Sequence, residues 1–422
     1  MQQNPHPVER VVGLDVHPDS FTAALVQGPT PRAATVERLF NKVPIAQLVR
    51  WAEKNTTTSD ALVLEASGNS FHVARSLRKI GRKVEVLESC HLGKLKEAHA
   101  NNDKISATRI AKAFLSGTAK SVWVPDSKTQ DRRDWLHAYH KASASVTRIS
   151  NSLLSFLSDN GVRLEQRLID CPASKRADLI RATRTWSPSQ WQVIEIKLAD
   201  LAHASDTEAR WSSLLAQEVI ADPQLLSLVR LCGIRDVVAF ALGAVVGDIG
   251  RFAEPKKLVK YVGLNPAFDD SGEGNWSGGI GGHGHKLLRS LLIESAHSVL
   301  RSPSHPMAQW GRGLLARKGE LRLVVAAVAR KLLVQVWYQL MGKNQPIEEV
   351  SGPLNAKINK IISKVGETGL RHLGTTRSQL RDRIKQSLTT HRSYTLDPER
   401  IYQPARANGQ TQPAIQAQAQ PS

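Results

Sequence analysis

Two short apolar runs that each close on a carboxylate constrain the N-terminal third of this chain: Arg10–Val16, RVVGLDV, and Ala61–Glu65, ALVLE. Short runs rich in Val and Leu, without polar alternation, predict strands covered on both faces. Ser20–Val26 and Ala33–Leu39 predict two further strands, set apart by His-Pro-Asp and Gly-Pro-Thr-Pro turn chemistry. Three strands in succession imply an antiparallel meander. A helix is expected from about Pro44 to Lys54, with proline at its start, where the missing N–H costs nothing. After Ala61–Glu65 the pattern predicts a helix over Phe71–Ile80, a strand over Lys83–Leu87 and a helix over Ser106–Leu115.

The resulting order, β-β-β-α-β-α-β-α, is that of the RNase H-like (RuvC-like) nuclease fold. In that fold the carboxylates of the first and fourth strands lie side by side at the centre of the sheet. An isolated ionised carboxylate there is costly, and coordination of Mg²⁺ is the usual solution. Asp15 alone, or Glu65 alone, reads equally well as a strand-terminal acid. Together, on strands that this topology makes neighbours, they read as metal ligands.

The charge balance points to a polyanionic partner. Lys and Arg number 57 against 38 Asp and Glu, a formal net charge of +19 over 422 residues, and the basic residues recur along the whole chain. Nucleic acid is the expected partner. A membrane is not, because the longest apolar stretch, near Leu323–Ala329, runs into Arg330-Lys331 and falls short of the roughly 20 residues a span needs. The first ten residues contain no apolar signal core. Cys90, Cys171 and Cys232 are far apart and form no CxxC pair, so neither a disulfide framework nor a zinc ribbon is expected, in keeping with a reducing cytoplasm.

Beyond residue 125 the pattern becomes helical. Residues 126–225 read as a helical linker or dimerisation region: Ile149, Leu153 and Phe156, then Ile194, Leu198 and Leu201, mark long amphipathic helices interrupted at Pro172 and Ser187-Pro188. Coiled-coil-like contacts with a sister subunit are expected of them. Leu231-Cys232-Gly233-Ile234-Arg235-Asp236, followed by Val237, Val238, Leu242 and Val246, reads as helix, tight turn, helix, in the manner of helix-hairpin-helix DNA-binding units. Seven of the fourteen residues from Ser271 to Gly284 are glycine, which predicts a loop able to approach a bulky ligand closely. A helix then starts at Lys286, where Lys286 and Arg289 add full charges to the partial positive charge of a helix N-terminus. Leu321–Leu340 predicts a helix with a wide apolar face flanked by Arg330 and Lys331. Residues 346–404 form a basic, partly helical extension, and the Gln-, Ala- and Pro-rich residues 405–422 predict a disordered tail.

The succession of the Gly233 turn, Gly247-Asp248-Ile249-Gly250-Arg251-Phe252, Lys256-Lys257-Leu258-Val259-Lys260-Tyr261-Val262-Gly263-Leu264-Asn265-Pro266 and Ser271-Gly272 resembles the C-terminal transposase domain of the insertion-sequence 110 family. These are DEDD transposases, related to Piv-type DNA invertases, whose recombination is guided by a bridge RNA. With the N-terminal pattern, the resemblance covers most of residues 10 to 342. It implies a nuclease domain over residues 1–125 and a mostly α transposase domain over residues 226–345. Its acidic set falls on Asp15 in GLDVH, Glu65 in LEASG and Asp103 in NNDKIS. The fourth member is replaced by Ser106, whose hydroxyl can ligate Mg²⁺ but brings no charge.

The resemblance further implies Ser271 as the nucleophile of a phosphoserine intermediate and Mg²⁺ as cofactor, with Mn²⁺ as an alternative. Its partners are donor and target DNA, a structured guide RNA and further copies of the chain, as dimer or tetramer. A bacterial, cytoplasmic, nucleoid-associated protein is implied. Lys256, Lys257, Lys286, Arg289, Arg330 and Lys331 are the expected nucleic-acid contacts. Two other functions fit the same residues. A site-specific invertase or junction-resolving nuclease would use the carboxylates and leave Ser271 idle, and a catalytically inactive nucleic-acid-binding protein would use neither.

Overall fold

The computed structural model describes residues 10–89, 103–269, 276–280, 283–302, 305–343, 345–346, 351–390 and 394–395. The chain divides into two units, Met1–Lys128 and Thr129–Ser422.

The first unit contains β1 (Arg10–Val16), β2 (Ser20–Gln27), β3 (Thr35–Pro44), α1 (Leu48–Asn55), β4 (Ala61–Glu65), α2 (Ser70–Lys79), β5 (Lys83–Leu87) and α3 (Asp103–Leu115). Its five strands lie in the order β3-β2-β1-β4-β5. The first three are antiparallel in sequence order, and β4 runs parallel to both β1 and β5. β3 begins later and runs further than expected, to Pro44, and a short 3₁₀ turn at Ile45–Gln47 precedes α1. The helix expected from Ser106 starts at Asp103, so the acid sits in its first turn, where a helix N-terminus favours negative charge.

Alternation along the central strands sorts their side chains onto two faces. Val12, Leu14, Leu62 and Leu64 pack with Trp51, Val73 and Leu77 of α1 and α2. Val11, Ala61 and Val63 face the other way, against Ala107, Ile110 and Ala111 of α3. Gly13 lies on this second face, and a Cβ there would stand 2.0 Å from the Ala107 carbonyl oxygen and 2.9 Å from the Ala111 nitrogen. A glycine inside a strand is otherwise unfavourable; here it lets the backbone of α3 lie directly on β1.

The second unit is mostly helical: α4 (Ser127–Asp159), α5 (Ala173–Arg181), α6 (Pro188–Ala221), α7 (Pro223–Leu228), α8 (Asp236–Val246), α9 (Pro255–Val262), α10 (Lys286–Leu300), α11 (Pro306–Lys318), α12 (Leu321–Leu340), α13 (Ser351–His372) and α14 (Arg377–Thr390). A short antiparallel pair, β6 (Pro266–Asp269) and β7 (Trp276–Ile280), stands between α9 and α10. Ser187 and Gln190 form a capping box at the start of α6, with Pro188 in its first turn, which explains the break read at that dipeptide. The apolar helix α8 is buried over most of its length among residues of α6, α7, α10 and α12. α12 is long and apolar enough to cross a membrane by length and composition, but 61% of its apolar window is buried inside the unit, and it packs on α9, α10 and α11.

Of the stripe residues expected to meet a sister subunit, Leu153, Ile194 and Leu201 are buried within the chain and Ile149, Phe156 and Leu198 are partly buried. Leu153 and Leu157 of α4 pack with Ile180 and Ile194, and Val146 packs with Leu201 and Ala204 of α6. Cys171 and Cys232 are free thiols, and Cys90 lies outside the described residues. The helical part of the basic extension docks on the hairpin between α7 and α8. Lys357 Nζ donates to the carbonyls of Val229 (2.8 Å) and Leu231 (2.6 Å), Lys364 pairs with Asp236, and Arg230 donates to the carbonyl of Leu388.

Gly13→Ala is expected to lower the stability of the protein by about 2–3 kcal/mol, the upper part of the range for overpacking, because the atoms it meets are backbone and cannot swing aside. Thermal unfolding of the metal-free protein checks this, with Gly68→Ala, where the new Cβ meets nothing, as the control expected to unfold like the parent.

Candidate metal centre and nucleic-acid interface

In the parallel ladder of β1 and β4 the last registered pair is Leu14 opposite Leu64. The next residue of each strand is an acid, Asp15 and Glu65, and strand alternation places both on the face covered by α3. α3 delivers Asp103 from its first turn. The topology thus brings three of the sequence-derived acids to one end of the sheet. Asp15 is half-buried, and burial raises the pKa of its carboxyl; the negative charges of Asp103 and Glu65 push the same way, against His17 and Arg109.

His17 is the residue that the sequence reading did not single out. It follows β1, and its Nε2 lies 3.8 Å from Asp15 Oδ2 and 3.7 Å from Asp103 Oδ1. Asp15, His17 and Asp103 each offer a donor atom within 4.8 Å of the others, a spacing that suits a bound cation. Glu65 stands outside this group of three but close enough to bear on Asp15. Ser106 is half-buried one turn after Asp103, and its Oγ lies 3.5 Å from Arg109 Nη2. A charged guanidinium therefore stands beside the position where the resemblance implies a fourth acid. As a donor set, hard carboxylate oxygens with one imidazole fit a divalent cation better than they fit each other, since Asp15 resists ionisation without a counter-charge.

In the second unit, β6 and β7 pair with Asp269 opposite Trp276. Trp276–Ile280 thus forms a strand where a glycine-rich loop was expected; β-forming residues at both ends, Trp276 and Ile280, outweigh the two glycines between them. Ser271 lies outside the described residues. α9 ends on Gly263 in the left-handed conformation, at φ +81°, and a Cβ there would stand 2.0 Å from the carbonyl oxygen of His283. Gly284, at φ +98°, completes this crossing of two backbones. His285 caps α10, its Nδ1 accepting from the Leu288 N–H, and burial lowers its pKa, which favours the neutral acceptor form.

The cations expected to contact nucleic acid fall into two groups. Lys256, Lys257 and Lys286 are exposed, Lys257 lying 3.9 Å from Glu254. Arg289, Arg330 and Lys331 bind within the unit. Arg289 Nη1 donates to the carbonyls of His283 (2.7 Å) and Gly263 (3.4 Å), and Arg330 Nε donates to that of Leu264 (2.8 Å). Lys331 Nζ lies 4.4 Å from the centre of the Trp310 ring. Their charge is legible in the sequence, but these interactions are not, because backbone carbonyls at the end of α9 leave no trace in residue type.

Residues 227–310 match the model of the transposase IS116/IS110/IS902 family, a stretch holding α8, α9, β6, β7, α10 and the start of α11. The chain is 22% identical to the transposase for insertion sequence element IS1111A of Coxiella burnetii, over 78% of this chain and 88% of that protein. It is 22% identical to the transposase for insertion sequence element IS1328 of Yersinia enterocolitica, over 78% of this chain and 95% of that protein. The probable family 20 transposase of Pseudomonas aeruginosa is also 22% identical, over 65% of this chain and 82% of that protein. At the level of the family, these matches support a transposase of insertion sequence elements.

In the metal-free protein, Asp15→Asn is expected to raise the melting temperature at pH 7. A carboxyl whose pKa is raised by folding favours the native state when protonated and loses that contribution as pH rises above the usual carboxylate range. The gain should therefore shrink as pH falls toward about 4. Calorimetry at several pH values measures it. Replacing both Lys256 and Lys257 by Gln should leave the melting temperature unchanged and reduce the slope of log DNA affinity against log salt by roughly 0.9 per lost phosphate contact. Arg289→Ala and Arg330→Ala should instead lower the melting temperature, since they strip the carbonyls of the buried residues Gly263 and Leu264, respectively, of a charged donor.

Proposed function

We propose that this chain is an insertion-sequence transposase that cuts and rejoins DNA strands with a divalent cation, Mg²⁺ or Mn²⁺, held by an RNase H-like (RuvC-like) nuclease unit. Ser271 is its nucleophile and a structured RNA its guide. The observation that carries the reading is the convergence of Asp15, Glu65 and Asp103 at one end of the sheet. The family match over residues 227–310 supports it independently, because that stretch contains the Ser271-Gly272 pair and the exposed Lys256, Lys257 and Lys286.

Asp15 and Asp103, with Glu65 beside them, would hold the cation. When bound, it neutralises negative charge on the scissile phosphate and on the departing 3′-oxygen. Ser271 Oγ forms a bond to phosphorus as the bond from phosphorus to the 3′-oxygen breaks; the serine proton passes to solvent water and the departing 3′-oxygen takes one from it. The phosphoserine ester conserves the bond, so that attack by a 3′-hydroxyl of another strand reverses the step and joins it. Lys256, Lys257 and Lys286 supply exposed charge for the phosphate backbone. Assembly of the nuclease unit of one copy with the serine domain of another requires an oligomer, a dimer or tetramer.

The test is covalent trapping on DNA carrying the element's own ends, with RNA that copurifies. The parent protein should form a serine-linked adduct that Ser271→Ala abolishes, with DNA affinity changed by no more than about twofold, since one small hydroxyl contributes little to binding. DNA cut without any adduct would point instead to a hydrolytic nuclease. Neither cutting nor adduct, at saturating Mg²⁺ and Mn²⁺, would leave a nucleic-acid-binding protein.

A further inference from the structure

Where a second acid would follow Asp103, the chain has Ser106, and Arg109 stands beside it; yet a different side chain already faces Asp103. We propose that His17 is a direct ligand of the catalytic cation, which makes this a mixed oxygen and nitrogen site selective for Mn²⁺ over Mg²⁺. The inference rests on the metal-dependent reading of the first unit given above. Donor atoms bound to one ion at about 2.1 Å lie about 3.0 Å apart when adjacent and about 4.2 Å apart when opposite. The separations of His17 Nε2 from Asp15 Oδ2, 3.8 Å, and from Asp103 Oδ1, 3.7 Å, exceed the adjacent spacing by less than about 1 Å, so a small inward shift of the exposed ring would bring all three donors onto one ion.

The backbone under His17 is fixed for that role. Its N–H donates to the Ser20 carbonyl at 2.8 Å, closing the turn between β1 and β2. Its carbonyl accepts from Asn69 Nδ2 at 2.9 Å, which ties the turn to the segment that follows Glu65. Both bonds use the main chain and leave the imidazole unconstrained by them. The ring is 47% exposed, so replacing it removes little packing. Chemistry supplies the selectivity. Mg²⁺ holds to oxygen donors in near-ideal octahedra, whereas imidazole suits later first-row metals, and Mn²⁺ accepts both oxygen and nitrogen. A site with one carboxylate fewer and one imidazole more therefore shifts toward Mn²⁺.

The opposing role for His17 is that of a protonated counter-ion, neutralising Asp15 and Asp103 until a cation displaces it. The two roles predict opposite signs. As a ligand, His17→Ala weakens Mn²⁺ binding by about tenfold or more, at least the loss seen when outer partners of metal ligands are removed. Its effect on Mg²⁺ stays within about threefold. As a counter-ion, the same substitution strengthens the binding of both metals at low pH.

The experiment is isothermal titration of the full-length, metal-free protein with MnCl₂ and with MgCl₂, for the parent, His17→Ala and His17→Asp. Pulsed electron paramagnetic resonance of the Mn²⁺ forms accompanies it. The parent is expected to show ¹⁴N coupling to Mn²⁺ that both variants lack. His17→Asp, which restores a fourth carboxylate, is expected to reverse the preference toward Mg²⁺. Circular dichroism confirms that each variant is folded, and His17→Asp keeps the test open should His17→Ala fail to fold. Metal binding by the parent with no ¹⁴N coupling, or tighter Mn²⁺ binding by His17→Ala, overturns the ligand role while leaving the metal-dependent reading intact. A parent that binds neither metal overturns both.

Discussion

The approach of α3 to β1 fixes where Asp103 meets Asp15. With no Cβ at Gly13, the Ala107 carbonyl of α3 lies directly over the strand, and the first turn of the helix reaches the strand end where Asp15 stands. Ala107 and Ala111 complete the contact with small side chains. A larger residue at any of the three would lift the helix and with it the acid that Asp15 needs to face. A substitution that loosens this packing therefore also moves Asp103 away from Asp15.

That closeness has an electrostatic cost. Burial and the neighbouring charges of Asp103 and Glu65 make Asp15 reluctant to ionise, and His17 and Arg109 offset this only in part. The protein is frustrated at this cluster, at the place where the proposed cation would relieve it. The second unit shows the opposite use of charge. Arg289 and Arg330 stabilise carbonyls that the turns after α9 leave without helical partners, and Lys357 does the same for the hairpin after α7. Of the positive charge that drew attention to nucleic acid, part is committed to the fold itself.

What could be read from the residues alone follows from this division. The apolar runs RVVGLDV and ALVLE, read as buried neighbouring strands, pair in parallel and carry their acids side by side. Helix boundaries with a chemical marker, such as Ser187-Pro188, were legible for the same reason: local chemistry determines them. His17 was not. Its spacing from Asp15 carries no signal, and its relation to Asp103 exists only once α3 has docked. The amphipathic stripes of α4 and α6 were recognised as apolar seams, but periodicity does not say whether a seam closes within one chain or between two; here Leu153, Ile194 and Leu201 are covered internally.

The sources of the donor atoms along the chain have a kinetic consequence. Asp15 and His17 come from one tight turn and are near each other as soon as β1 and β2 pair, an event of low contact order. Asp103 arrives only after α1, β4, α2 and β5 have taken their places, at the far end of a long loop in the entropic sense. An incompletely folded chain therefore offers two of the three donors and would hold the proposed cation weakly. The complete triad forms only in a chain whose sheet is finished, so occupancy of the proposed metal centre would double as a report that folding has run to its end.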